Sequence, residues 1–89
     1  MARYGVETKL SPEQAVAKAV VCFGEQGLGL EVTERGERYA AFVGGGGHVR
    51  ITATAVESKT ALELETREWD YDVKQFVRKI AGAQQDMDD

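Results

Sequence analysis

One cysteine, one proline, one histidine and one tryptophan are spread over 89 residues. The lone cysteine, Cys22, has no partner within the chain, so no disulfide framework holds the fold and a packed core must do so. With an N-terminus that lacks the apolar core of a signal peptide, this makes a cytoplasmic protein the expectation. No apolar run approaches the roughly 20 residues that span a bilayer. Positive charge is also scarce: the net charge is −4, with 15 acidic against 11 basic residues. Sequence-independent binding to nucleic acid needs clustered Lys and Arg, and so does an anionic membrane surface, so neither is an expected partner. No catalytic, metal or nucleotide motif is present, which argues for no cofactor and against an enzyme.

What the chain does contain is alternation. Val49, Ile51, Ala53 and Ala55 are apolar at every second position, separated by Arg50, Thr52 and Thr54. After a polar break at Glu57–Thr60, Leu62 and Leu64 resume the pattern between Glu63, Glu65 and Arg67. Period-two alternation on both sides of a short break predicts a β-hairpin with one wet face. A loop at Ser58-Lys59 sets Ala53 opposite Leu64 and Thr52 opposite Glu65, matching apolar with apolar and polar with polar.

The flanking segments complete a small domain. Tyr4, Val6 and Thr8 mark a first strand. Ser11 as cap, Pro12 at the first helical position and Gln14 three after the cap then open a helix whose stripe is Val16, Ala19, Val20 and Phe23. Gly27 suits the left-handed position just past its end. Leu28, Leu30 and Val32 predict a second strand. Residues 37–43 predict a third, apolar on both sides. Pairing through an Arg35-Gly36 loop assigns Tyr39, Ala41 and Val43 to the core and leaves Phe42 and Ala40 on the open face. Keeping that face across Gly44–Gly47 requires an odd loop or a glycine-hosted bulge. Trp69, Val73, Phe76, Val77 and Ile80 predict a second helix, and residues 83–89 an acidic, fraying tail beyond a domain of residues 1–82.

The expected architecture is α+β, in the order β-α-β-β-β-β-α: a curved five-stranded antiparallel sheet, strand order 1-5-4-3-2, with both helices on one face. This order resembles the single-copy β-α-β4-α arrangement of the TATA-binding-protein-like fold, and is similar to a minimal START-type helix-grip domain. The helix-grip resemblance implies a C-terminal helix lying across the sheet and helping to enclose a ligand. No family motif accompanies it, so no functional residue is carried over.

Two functional readings follow. The first is a non-catalytic interaction or assembly module, dimerising or binding a protein partner through the open sheet face, with Phe42, Ala40 and Arg50 as contact residues. The second is a small carrier of an apolar or anionic ligand, held between sheet and C-terminal helix near Trp69, Tyr39 and His48. His48 has no cysteine nucleophile near it, and Cys22 beside the first helix's stripe reads as a buried thiol. The Gly44–Gly47 run lacks the Lys-Ser/Thr and helix of a P-loop and reads as a hairpin loop.

Overall fold

The structure is a computed structural model and describes residues 2–81; the expected acidic tail, 83–89, lies outside the described residues. Its elements are β1 (Ala2–Thr8), α1 (Pro12–Phe23), β2 (Glu31–Arg35), β3 (Tyr39–Gly44), β4 (Gly47–Val56), β5 (Lys59–Arg67) and α2 (Asp70–Ala81). The strands are antiparallel and ordered β1-β5-β4-β3-β2, the α+β arrangement expected from the alternation.

Helix α1 starts where its residues dictate. The Gln14 N–H donates to Ser11 Oγ at 3.2 Å, and the Ser11 N–H donates to Gln14 Oε1 at 3.0 Å, a reciprocal capping box. Ser11→Ala is therefore expected to cost about 1 kcal/mol, and thermal unfolding should move down by roughly 5 °C. The other end differs from expectation. Gly24, with φ −77°, caps the helix, and the positive φ falls at Gly29 (+85°) rather than Gly27. Leu28 consequently sits in the turn, 37% exposed, and the second strand begins only at Glu31.

The core lies between one sheet face and the two helices. Ala15, Val16, Ala19 and Phe23 of α1, with Val73, Phe76 and Ile80 of α2, cover Phe42, Val49, Ile51, Leu62 and Leu64. Phe23 is central, its ring 5.6 Å from that of Phe42 and 5.2 Å from that of Phe76, both tilted. Three threonines also point inward, each with its hydroxyl bonded. Thr60 Oγ1 donates to Leu10 O at 2.6 Å, Thr66 Oγ1 donates to His48 O at 2.8 Å, and Thr8 Oγ1 accepts from the Leu10 N–H.

Two registers differ from the expected ones, with opposite consequences. The β4–β5 turn is Glu57-Ser58, one residue earlier than expected, so Ile51 faces Leu64 and Ala53 faces Leu62. That slides the ladder by two and leaves every side chain on its expected face. In β3 the face itself is reversed. The glycine run forms a plain two-residue turn, Gly45-Gly46, setting Val43 against His48 and Phe42 against Val49. Both glycines have positive φ (+58° and +81°), as a type I′ hairpin turn requires. The odd residue expected at the glycines lies instead in β2, where the register shifts between Val32 and Glu34. Phe42 and Ala40 are thus fully buried, while Tyr39 and Val43 face solvent. Energetically this favours the larger apolar side chain: Phe42 joins Phe23, and the Tyr39 hydroxyl keeps its water.

Candidate functional site

The surface that differs from an ordinary wet sheet face is the one turned away from the helices. Strand pairing aligns it in three rows. The first is Glu31, Val43, His48 and Arg67, running β2 to β5. The second is Glu34, Ala41, Arg50, Glu65 and Arg3, and the third is Tyr39, Thr52, Glu63 and Gly5. Read down the strands instead, β2 contributes two carboxylates and β3 an apolar stripe of Tyr39, Ala41 and Val43. Beside the stripe, β4 contributes His48 and Arg50. Tyr39 is 47% and Val43 39% exposed, whereas Ala41 between them is shielded.

The charges on this face are unevenly satisfied. Arg3 reaches Glu63 at 3.2 Å and Glu65 at 3.4 Å, exposed pairs worth under about 1 kcal/mol each. Among the described residues, Arg50, Arg67, Glu31 and Glu34 have no ion-pair partner. Basic character therefore collects on one side of the stripe and acidic character on the other.

The residues singled out from sequence are not brought together. Phe42 and Ala40 leave the open face for the core, because the reversal of β3 carries them inward; only Arg50 of that trio is on the surface. Tyr39, expected in the core beside Trp69, is on the outer face for the same reason, and His48 stands two strand positions from Arg50 on that face. Trp69 lies on the helix side. Its indole N–H donates to Gly44 O at 2.9 Å, so it closes over the β3–β4 turn and packs against the core. The alternation of Leu30, Glu31 and Val32 already puts Glu31 on the outer face, whereas nothing in the sequence favours Val43 there, since a strand apolar on both sides leaves its facing open.

Elsewhere the chemistry is quiet. Burial pushes the half-buried Cys22 thiol above its ordinary pKa, Lys79 opposes the shift and Asp72 adds to it, so the reactive thiolate is disfavoured. The Tyr4 hydroxyl donates to Asp70 Oδ2 at 3.0 Å; its pKa is raised by desolvation first and by the carboxylate second. Among the described residues no cluster of three His, Cys, Asp or Glu is placed to hold a metal, and no helix is long and apolar enough to cross a membrane.

No family model and no curated protein matches the chain. Among solved structures, the solution structure of the Aha1 dimer from Colwellia psychrerythraea is similar, with a TM-score of 0.58 and 13% identity over 91% of this chain and 97% of that one. At that identity the likeness is one of fold, and it places the chain among α+β domains with a five-stranded antiparallel sheet and two helices.

Proposed function

We propose that this chain is a small non-catalytic assembly module that associates through the outer face of its sheet. The observation carrying this reading is the reversal of β3, which spends Phe42 on the core and still leaves Tyr39, Ala41 and Val43 as an apolar stripe between charged columns. A stripe rimmed by polar residues is the usual composition of a contact surface. The solved structure of similar fold is itself a dimer, which agrees with the reading without identifying the interface. The carrier alternative draws less support, because Tyr39 and His48 lie on the face opposite Trp69, and the Phe23, Phe42 and Phe76 rings occupy the layer between sheet and helices.

Sedimentation velocity over a concentration series tests the reading. Wild type is expected to shift toward a dimer as concentration rises, and Tyr39→Glu with Val43→Glu to stay monomeric at every concentration while keeping its circular dichroism. Equal behaviour of the two proteins refutes it.

A further inference from the structure

Resting on the assembly reading, we infer that the occupant of the outer face is a second copy of this chain, aligned by a two-fold axis running along β3. The argument is one of charge and order. Across the face, β2 presents Glu31 and Glu34, β3 presents Tyr39, Ala41 and Val43, and β4 presents His48 and Arg50. A two-fold axis parallel to the strands and lying between two stacked sheets exchanges left and right while keeping height along the strand. It therefore lays β3 on its own mate and β2 on the mate's β4. Row by row, Glu34 meets Arg50 of the second copy and Glu31 meets His48, and both contacts occur twice by symmetry. No other stacking along this axis matches so well: centred on β4, the rotation sets the stripe against Glu65 and Arg67 of β5.

Among the described residues, the two glutamates and the arginine so paired have no ion-pair partner within the single chain, while Arg3, Glu63 and Glu65 on the far side already have one another. Twisted sheets stack about 10 Å apart and about −30° from parallel. Tyr39 of each copy then passes beside its mate instead of onto it, with the shielded Ala41 at the crossing. Three strands of each sheet overlap, a width of about 14 Å. That puts the contact at the low end of specific interfaces, so the dimer is weak and concentration-dependent, and its charge columns set the alignment more than the affinity.

Charge exchange provides the test. Glu31→Lys with Glu34→Lys makes one variant, and His48→Glu with Arg50→Glu makes a second. All four positions are on the outer face, so both variants are expected to fold, with circular dichroism as the check. Each alone opposes like charges across the two-fold and should dissociate at least about tenfold more readily than wild type. Mixed in equal amounts they restore both contacts, β2 Lys on β4 Glu and β2 Glu on β4 His and Arg, and should recover most of the wild-type association in sedimentation. A mixture no tighter than either variant overturns the alignment, and so does either variant dimerising like wild type. Should Tyr39→Glu with Val43→Glu also dimerise normally, the outer-face reading itself falls. Should that variant be monomeric while the mixture fails, the face stands and only the two-fold along β3 is lost.

Discussion

Phe42→Ala is expected to lower the unfolding free energy by about 3–5 kcal/mol, a large share of what a domain of this size possesses. Phe42 is wholly buried, and its ring lies 5.6 Å from Phe23, which in turn touches Phe76. Truncation thus removes the ring that packs β3 against Phe23 of α1, and leaves a cavity in the close-packed core. Phe42→Glu adds an unpaired charge in the same place and should leave no folded protein. Tyr39→Ala, three residues earlier on the opposite face, should change stability by less than about 1 kcal/mol. Urea unfolding followed by far-ultraviolet circular dichroism measures all three. Similar midpoints for the Phe42 and Tyr39 alanine variants would falsify the facing assigned to β3.

Within the glycine run, the positions are expected to differ sharply in what they tolerate. A Cβ on Gly47 would lie 2.1 Å from the Arg67 carbonyl oxygen, and also too close to the Glu68 side chain. Backbone cannot swing aside as a lysine tip can, so Gly47→Ala must pry β4 from the end of β5. The Gly44 carbonyl would then be drawn from the Trp69 indole. A cost of about 2–3 kcal/mol is expected. Gly46 has φ +81° and open space around it, so the demand there is only for a left-handed residue. Asparagine meets that demand, and Gly46→Asn should cost less than about 1 kcal/mol. Denaturant midpoints give both values, and Trp69 emission reports whether its seat on the turn is lost. An alanine at 47 as harmless as an asparagine at 46 would contradict the packing of this hairpin.

Much of the architecture was legible because the residues leave few choices. Ser11, Pro12 and Gln14 fix the start of α1, and the strict alternation from Val49 to Leu64 fixes the two central strands and their inward face. The Glu57-Ser58 turn falls one residue before the expected loop, since Glu57 adopts φ +57° without being glycine or asparagine, and side-chain matching cannot tell registers two apart. The facing of β3 was a harder matter. Tyr39, Ala41 and Val43 compete with Ala40 and Phe42, and both sets are apolar, so neighbouring strands decide. Pairing inferred from β2 pointed one way and the tight glycine turn into β4 the other. The turn prevailed, and β2 absorbed the conflict at Thr33, a residue that carries no mark of a bulge. The candidate site depended on that one decision, which is why its charged flank was readable and its apolar stripe was not.

The irregularity at Thr33 has a bearing on crowding as well as on register. β2 is an outermost strand, with one row of amides and carbonyls unclaimed by any neighbour within the sheet. Excising Thr33 would leave Val32 on Phe42 and Glu34 on Ala41 in an unbroken ladder, so the chain could still fold. The price would be a straight margin on which the sheet of a further molecule could add, edge to edge. The superfluous residue thus works as a selvedge, keeping the border of one sheet from being woven to that of another.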